Sequence, residues 1–414
     1  MGKKIYGLIG RTLKHSYSVP LHRELGNSAY RLFELEPSEL AGFLGRSDLG
    51  GVNVTIPYKE AVCKFCDTLS PEAEATGSVN TIVRRADGSL AGFNTDIYGL
   101  HYMMRRAGAS PGGKKVVVFG SGGASRAAQY VARRGGAREV AVISRSGPDS
   151  YDNLSRHRDA GMLINATPLG MYPHTGAAAA DLSLFPECTA VLDLVYNPRR
   201  TALIMQAEAL GIPCTDGLPM LVAQAKKAAE LFLGRAVDDF EIERIILKLR
   251  RETTNIVLIG MPGCGKSVVG LTLGEITGRG IIDIDEEIVR EKGCSIAGIF
   301  AAYGEGEFRR LERRLTAAAG KERGKIIVTG GGVVKDERNY PSLHQNGRIY
   351  HLRRDLTLLA REGRPLSIKA DLGALYRERR PLYRRFRDAV IDNSGTPAEA
   401  AAAIWRDFNE DTGN

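Results

Sequence analysis

The segment NIVLIGMPGCGKSVVGLTLGEITG, from Asn255 to Gly278, decides the fold of the second half of this chain. An apolar run typical of a buried strand leads into GMPGCGKS, which matches the pattern G-x-x-x-x-G-K-[ST], and a helix-like run follows. In such a loop the backbone N–H groups cradle phosphates, Lys266 reaches the phosphoryl group being transferred, and the Ser267 hydroxyl binds magnesium. The segment therefore predicts a nucleoside triphosphate site. Because the loop begins only at Gly260, we expect another folded region before it.

Strand-like runs alternate with helix-like segments along the chain, which predicts an α/β protein with mostly parallel sheets. The runs are KIYGLIG, GGVNVTIP, KKVVVFG, REVAVIS, GMLINAT, AVLDLVY, NIVLIG, GIIDID, KIIVTGG and GRIYHLR. A charged stretch with apolar residues at helical spacing, residues 237–252, precedes the loop, so we place a domain boundary near Glu252.

The start of the last helix is also predicted. Thr396, Pro397 and Glu399 offer an N-cap, a proline at the first helical position and a capping-box glutamate. Trp405 lies on this helix, and we expect it to pack in the core.

Composition is that of globular domains: of 414 residues, 43% are hydrophobic and 25% charged, enough for two or three cores. No apolar run reaches the length of a membrane span and no signal-peptide pattern is present, so we expect a cytoplasmic protein without a membrane partner. The formal charge of +9 is spread over basic residues interleaved with acidic ones. This favours small anionic ligands, and we expect no nucleic-acid partner.

Six scattered cysteines predict free thiols in a reducing compartment. Cys63 and Cys66 form the only C-x-x-C pair of the sequence. No further ligands stand at a suitable spacing, which disfavours a zinc or redox role.

A second nucleotide-binding pattern lies in VVVFGSGGASRAA. Its glycines Gly120, Gly122 and Gly123 stand in a strand-to-helix turn, where a missing side chain lets the backbone approach a pyrophosphate. The next strand ends in Ser144-Arg145-Ser146, where an NAD site would carry an acid. Arginine there favours the 2′-phosphate of NADP, although a surface arginine after an edge strand is the alternative.

Further motifs surround this turn: HSYSVPLH, GGVNVTIPYKE, TGSVNTI, GFNTDIYGL, INATPLGM, LDLVYNP and DGLPMLVAQA. Together and in this order they resemble shikimate dehydrogenase over about residues 5–235. The resemblance implies a two-lobed fold. Residues 1–100 would form a shikimate-binding lobe, completed by helices within residues 218–250, and residues 101–217 a Rossmann-type NADP lobe.

The resemblance makes Lys59 and Asp96 the catalytic pair. Hydride transfer to a ketone builds negative charge on its oxygen, so Lys59 can donate the proton while Asp96 holds the ammonium and the substrate hydroxyls. The implied shikimate-binding residues are Ser16, Ser18, Thr55, Lys59, Asn80, Asp96, Tyr196 and Gln224. The implied NADP-binding residues are Gly120, Ser121, Gly122, Gly123, Ala124, Ser125, Ser144, Arg145, Ser146, Leu194 and Gly217.

The chain departs from that family pattern in several places. Val19, Ile97 and Pro219 replace residues usual there and are expected to reshape the nicotinamide or substrate pocket. The segment between Arg145 and Asn165 is shorter than usual, so we expect a trimmed Rossmann lobe.

After the phosphate loop come GIIDIDEEI, GCSIAGIFAAYGEGEFRRLE, IIVTGGGVV, REGRPLS and RERRPLYRRF. These resemble shikimate kinase over about residues 254–408. We therefore expect a P-loop kinase domain with a parallel sheet at residues 253–414, joined through the helical boundary segment at residues 237–252.

This second resemblance assigns roles to charged residues. Asp283 would hold magnesium together with Ser267, and Asp285 would accept hydrogen bonds from the ring hydroxyls of the acceptor. Arg309 and Arg379 would clamp a carboxylate, which suits the planar guanidinium fork. The implied ATP-binding residues are Gly260, Gly263, Cys264, Gly265, Lys266, Ser267, Arg361 and Arg364. The implied kinase shikimate site is Asp285, Arg309, Gly330, Gly331, Gly332 and Arg379.

Other arginines are expected on a solvated face: Arg313, Arg314, Arg384 and Arg385. Arg364 matches a catalytic lid arginine, but Arg361 and Arg364 are only three positions apart. So short a lid is expected to close less completely, which would weaken nucleotide binding or raise ATP hydrolysis without acceptor.

Taken together, the sequence predicts a bifunctional enzyme of the shikimate pathway for aromatic amino acid biosynthesis. One half would reduce 3-dehydroshikimate with NADPH, and the other would phosphorylate shikimate with MgATP. Two alternatives stay open: a catalytically inactive metabolite-sensing regulator of the same folds, and a quinate/shikimate dehydrogenase using NAD. Oligomeric state, domain orientation and channelling are not predicted.

Overall fold

The computed structural model describes residues 4–13, 16–359 and 372–411 of the chain. It divides into two compact units, Met1–Ile246 and Leu247–Asn414. The division falls inside a helix, Phe240–Thr253, close to the helical stretch that the sequence predicts at residues 237–252.

The first unit begins with a six-stranded mixed sheet of strand order β2-β1-β3-β5-β6-β4. β3 pairs antiparallel with β5, and β5 antiparallel with β6, while the other pairs are parallel. Its elements are β1 (Ile5–Gly10), α1 (Ser18–Glu24), β2 (Tyr30–Glu34), α2 (Leu40–Leu44), β3 (Leu49–Val54), β4 (Thr68–Leu69), α3 (Pro71–Thr76), β5 (Thr81–Arg84), β6 (Leu90–Phe93) and α4 (Asp96–Arg106).

A second sheet in this unit has five parallel strands in the order β11-β10-β9-β7-β8. Helix α7 returns from it to pack on α1 and α4. The elements are β7 (Lys115–Phe119), α5 (Gly123–Arg134), β8 (Glu139–Ile143), β9 (Ala160–Asn165), β10 (Val191–Asp193), α6 (Ala202–Ala209), β11 (Cys214–Thr215), α7 (Leu218–Leu233) and α8 (Phe240–Thr253).

The second unit contains a parallel five-stranded sheet of order β13-β14-β12-β15-β16, with helices around it. Its central strand, NIVLI, is fully buried, as a strand covered on both faces must be. The elements are β12 (Asn255–Ile259), α9 (Lys266–Thr277), β13 (Ile281–Asp283), α10 (Ile284–Lys292), α11 (Ile296–Lys321), β14 (Ile326–Val328), α12 (Asn339–His344), β15 (Gly347–Arg353), α13 (Leu372–Phe386), β16 (Ala389–Asp392) and α14 (Pro397–Asp411).

The α/β fold class is confirmed, and each of the ten strand-like runs forms a strand. Between β8 and β9 the chain makes only a short 3₁₀ turn, Tyr151–His157, in keeping with the trimmed lobe expected from the sequence.

The capping box of the last helix is also confirmed. Glu399 accepts from the Thr396 backbone N–H at 2.9 Å, and Thr396 Oγ1 accepts from the Glu399 N–H at 3.3 Å. Trp405 stacks on Phe408 and packs against the core, as predicted.

The cysteines are all free in the structure. Burial raises the pKa of Cys63 and raises that of Cys66 to about 11, so both thiols of the C-x-x-C pair are poor nucleophiles. Among the described residues, no helix has the length and apolar character needed to cross a membrane.

Candidate active sites

The first unit holds a cavity of about 570 Å³ lined by residues of its first sheet and by residues of the loops and helices around its second sheet. All eight shikimate-binding residues expected from the sequence line it, together with three of the expected NADP-binding residues, Ala124, Leu194 and Gly217. The cavity therefore gathers side chains that lie far apart in the sequence.

The centre of this cavity is an ion pair between Lys59 and Asp96. Lys59 Nζ donates to Asp96 Oδ2 at 2.6 Å, and the two side chains are 18% and 8% exposed. Asp96 is also the first residue of α4, where the helix dipole favours a negative charge. The ammonium thus reaches the cavity with its position fixed by a largely buried carboxylate.

Asn80 anchors the other side of Asp96. Its Nδ2 donates to Asp96 Oδ1 at 2.8 Å and to Thr95 Oγ1 at 3.0 Å, while its Oδ1 accepts from the Thr95 N–H at 2.7 Å. Thr95 Oγ1 also reaches Gln224 Oε1 at 3.4 Å. Thr95 was missed as a site residue, although its place in the N-T-D motif was a usable signal.

A buried ring stack supports this part of the cavity. His22 lies flat on Tyr30, with ring centroids 3.8 Å apart, and the Tyr30 hydroxyl donates to Asn53 Oδ1 at 2.6 Å. Asn53 lines the cavity and donates to Thr81 Oγ1. Burial lowers the pKa of His22 to about 3, so this imidazole is neutral. Sequence reasoning missed Tyr30 and Asn53 because their pairing joins two different strands.

The glycine turn expected to bind a dinucleotide adjoins the Lys59–Asp96 pair. A Cβ at Gly123 would lie 3.4 Å from Lys59 Cδ, and one at Gly122 would meet nothing within 4 Å. Gly122 precedes α5, and Ser125 Oγ donates to the Gly120 carbonyl at 2.6 Å, which fastens the turn. Open space before a helix N-terminus fits a pyrophosphate.

The triplet Ser144-Arg145-Ser146 follows β8, which pairs with β7, the strand that leads into the glycine turn. Arg145 is exposed. It stands at the same edge of the sheet as the turn, where a ribose phosphate of the same dinucleotide can reach it.

Three departures from the family pattern do not line the cavity directly. Ile97 is buried in the core next to α5, Pro219 is buried in the first turn of α7, and Val19 packs against a cluster that includes Leu8. The described cavity lining includes none of the three, but Leu8 and Met220, which share clusters with Val19 and Ile97, do line it, so an indirect effect on the pocket stays a prediction.

The second unit has its own cavity of about 570 Å³ beside the phosphate loop. It brings together most of the kinase residues expected from the sequence. Those lining it are Gly263, Gly265, Lys266, Ser267, Asp283, Asp285, Arg309, Gly330, Gly331, Gly332 and Arg379. Gly260 and Cys264 lie within the loop but are not among the described lining residues.

The phosphate loop keeps its lysine folded inward. Lys266 Nζ donates to the carbonyls of Gly260 at 2.9 Å and Met261 at 3.0 Å. Ser267 Oγ donates to Asp283 Oδ2 at 2.9 Å, which places a hydroxyl and a carboxylate side by side. Magnesium takes one or two such oxygen ligands alongside phosphates, so this pair fits it.

Arg309 is held by a buried carboxylate that the sequence reasoning missed. Its Nη1 donates to Glu312 Oε2 at 2.6 Å, and Glu312 is 1% exposed. Burial raises the pKa of Glu312, and a charged guanidinium opposes that rise. The three-residue spacing on α11, where such pairs meet on one helix face, was the available signal.

Arg379 and Tyr383 share one acceptor. Arg379 Nη1 donates to the Gly331 carbonyl at 2.9 Å, and the Tyr383 hydroxyl donates to the same oxygen at 2.6 Å. A Cβ at Gly332 would lie 2.5 Å from Arg309 Nη1, so this glycine lets the guanidinium approach the backbone. Both expected clamp arginines therefore meet at the glycine triplet.

Not all expected residues can be placed. Arg361 and Arg364 lie outside the described residues. Among the arginines expected on a solvated face, Arg314, Arg384 and Arg385 are exposed, and Arg313 pairs with Asp336 at 3.4 Å.

Two family models match this chain. The model for the shikimate dehydrogenase substrate binding domain matches residues 8–82, and the model for shikimate kinase matches residues 262–408.

Known relatives cover the N-terminal part. The shikimate dehydrogenase (NADP(+)) of Clostridium perfringens strain SM101 is 35% identical over 268 residues, which are 60% of this chain and 98% of the relative. The shikimate 5-dehydrogenase of Thermus thermophilus, solved with NADP(H) and shikimate, shows 33% identity and a TM-score of 0.53, covering 58% of this chain and 97% of that one. The quinate dehydrogenase of Corynebacterium glutamicum, solved with NAD, shows 28% identity and a TM-score of 0.54, covering 59% and 99%.

The buried His22 predicts an acid sensitivity of the first unit. Its pKa is about 3 in the folded chain and near 6.5 when unfolded, so the unfolded state binds the extra proton as pH falls below 6.5. Because of His22, the free energy of unfolding should therefore fall by roughly 1.4 kcal/mol for each pH unit of acidification between about pH 6 and 4. We would measure urea midpoints by pulse proteolysis, assigning fragments of the first unit by mass spectrometry.

His22→Gln is the matched control, because every other titrating group is common to both proteins. Its stability should fall less steeply with acid than that of the unaltered chain. Parallel slopes would contradict a neutral buried imidazole.

Proposed function

The chain belongs to the shikimate dehydrogenase family and carries a shikimate kinase domain at its carboxyl end, and we propose that it catalyses two consecutive steps of the shikimate pathway. The first unit would reduce 3-dehydroshikimate to shikimate with NADPH. The second would transfer the γ-phosphoryl group of MgATP to the 3-hydroxyl of shikimate. We assign residues 1–100 with helices of 218–250 to shikimate binding, 101–217 to NADP and 253–414 to phosphoryl transfer.

The observation that carries the first activity is the Lys59–Asp96 pair inside a cavity lined by residues of the first sheet and of the loops and helices around the second. When bound, NADPH supplies the hydride. Lys59 Nζ would place a proton beside the carbonyl oxygen as charge develops there, and Asp96 would orient the ammonium. Because Asn80 holds Asp96 Oδ1 and is itself held by Thr95, the carboxylate is oriented with its Oδ2 on the lysine.

Substrate polar groups would be held by the remaining cavity side chains. Ser16, Ser18 and Thr55 line the side next to the first sheet, while Tyr196 and Gln224 come from the second half of the unit. A substrate bound among them has its carboxylate and hydroxyls satisfied by hydrogen bonds as it leaves water, which suits a small anion.

The observation that carries the second activity is the arrangement of cations and oxygens around the phosphate loop. Lys266 and the Ser267–Asp283 pair would hold the phosphates and magnesium. Arg309 and Arg379 would bind the acceptor carboxylate, and Asp285 would hydrogen bond the hydroxyl that attacks. In phosphoryl transfer such positioning and charge stabilisation supply most of the rate.

The two reactions fit each other chemically. Reduction of the ketone creates the hydroxyl that phosphoryl transfer then uses as the nucleophile. Every substrate and nucleotide involved is an anion, which accounts for the net charge of +9. The six free thiols support a location in the reducing cytoplasm.

Two alternatives make different demands on these residues. A regulator without catalysis would be expected to lack acid-base and phosphate-binding side chains, but Lys59, Asp96, Lys266 and Asp283 are all present. The similarity to a quinate dehydrogenase solved with NAD favours a second candidate, oxidation of quinate with NAD. Arg145, placed where NAD enzymes have an acid, argues against it.

Exchanging one lysine at a time separates the two activities. Lys59→Ala should slow reduction by about 10²–10⁴-fold, the usual range for a lost general acid, and leave phosphorylation of shikimate unchanged. Lys266→Ala should abolish phosphorylation and leave reduction unchanged. Each variant is the control for the other, with NADPH oxidation and ADP release as the two measurements. Loss of both activities from either change would contradict independent sites.

The cofactor assignment rests on Arg145. Arg145→Ala should raise the KM for NADPH by about tenfold or more, because a charged hydrogen bond to the 2′-phosphate is lost, and should leave the KM for NADH unchanged. Arg158→Ala, an exposed arginine of the same lobe, is the matched control. Equal KM changes for the two cofactors would contradict the 2′-phosphate contact, and a preference of the unaltered chain for quinate with NAD would favour the second candidate.

A further inference from the structure

We propose that Arg354 binds the phosphate chain of the nucleotide in the second unit, an inference that rests on the phosphotransferase function above. Arg354 directly follows β15 and is not part of the nucleotide set that the sequence resemblance supplies. Its position, its unused hydrogen-bonding capacity and its distance from the acceptor side each support this role.

Arg354 lies at the edge of the sheet from which the phosphate loop emerges. β15 pairs in parallel with β12, the strand that leads into the phosphate loop, so the carboxyl ends of both strands lie at the same edge of the sheet. A Cβ at Gly265, inside the loop, would lie 3.6 Å from Arg354 Nη1. The guanidinium therefore stands beside the backbone that is expected to cradle phosphates.

The Arg354 guanidinium has unused hydrogen-bond donor capacity. Arg354 Nε is buried from solvent, and within the described part of the chain it has no hydrogen-bond partner. The nearest carboxylates in sequence and across the sheet are engaged elsewhere: Asp355 accepts from Thr357, and Asp392 accepts from Ser394. Because a buried guanidinium donor without a partner costs free energy, an anionic ligand at this place would relieve that cost.

Arg354 is separated from the residues expected to bind the acceptor. The cavity that gathers Asp285, Arg309 and Arg379 is lined at the carboxyl ends of β13 and β14, and Arg354 is not among its described lining residues. On the β15–β16 side, Asn393 donates to the Cys264 carbonyl at 2.6 Å and would meet a Cβ at Gly265 at 2.7 Å. Arg354 and Asn393 thus flank the loop opposite the acceptor.

Phosphate oxygens are the ligand chemistry that matches these features. A guanidinium offers a planar fork of donors and stays charged at any physiological pH, so it binds phosphate in two-point contacts that lysine cannot reproduce. Arg354 would add a positive charge to that of Lys266 on the nucleotide side of the loop.

The test measures binding to the full chain by titration calorimetry. Arg354→Gln removes the charge and keeps most of the side-chain volume. It should weaken the binding of MgADP and of inorganic tripolyphosphate by about tenfold or more, with the affinity for shikimate unchanged. Arg354→Lys should recover only part of the loss.

Arg353→Gln is the matched control. Arg353 is the adjacent arginine, is exposed, and acts on Asp392 rather than on the loop. Its affinity for MgADP should equal that of the unaltered chain.

Unchanged MgADP affinity in Arg354→Gln would overturn the inference. A weaker affinity for MgADP with an unchanged affinity for tripolyphosphate would mean that Arg354 contacts the base or ribose, and would overturn the phosphate assignment. A parallel loss of affinity for shikimate would mean general disruption of the site and would also overturn the inference. If the unaltered chain bound neither MgADP nor shikimate in the second unit, the proposed phosphotransferase function itself would fail.

Discussion

Both units depend on one constraint: in a parallel sheet, everything that follows a strand emerges at the same edge. The glycine turn follows β7 and the phosphate loop follows β12, and each leads into a helix whose N-terminal N–H groups face a proposed anion site. Asp283 ends a neighbouring strand of the second unit, and the glycine triplet and Arg354 follow two others. Sheet order thus decides which side chains can meet, and the motifs decide the chemistry.

A second regularity is that cations expected to touch substrate are held by carboxylates with little exposure. Asp96 holds Lys59, and Glu312 holds Arg309. Removing such charges from water is costly, and the cost is offset only where further hydrogen bonds satisfy the carboxylate, as Asn80 does for Asp96. The benefit is preorganisation, because the donors need not reorient when charge develops on the substrate.

The features that were predicted correctly are those determined by residues close together in the sequence. Strand runs, the two glycine turns and the capping box of Thr396 and Glu399 follow from residues close together in the chain, and all appear in the structure. The antiparallel pairing of β5 and the contact of Tyr30 with Asn53 were not predicted, because they join segments whose pairing only the folded sheet defines. Glu312 was missed although its spacing from Arg309 was visible, since a buried acid on a helix has several ordinary roles.

The central claim is that one polypeptide makes a hydroxyl and then phosphorylates it. The most direct measurement supplies the purified chain with 3-dehydroshikimate, NADPH and MgATP, and follows NADPH oxidation and shikimate 3-phosphate formation together. The account predicts that shikimate 3-phosphate appears after NADPH oxidation begins and reaches a final amount equal to the NADPH oxidised. Shikimate 3-phosphate that forms without NADPH, or shikimate that accumulates without being phosphorylated, would contradict it.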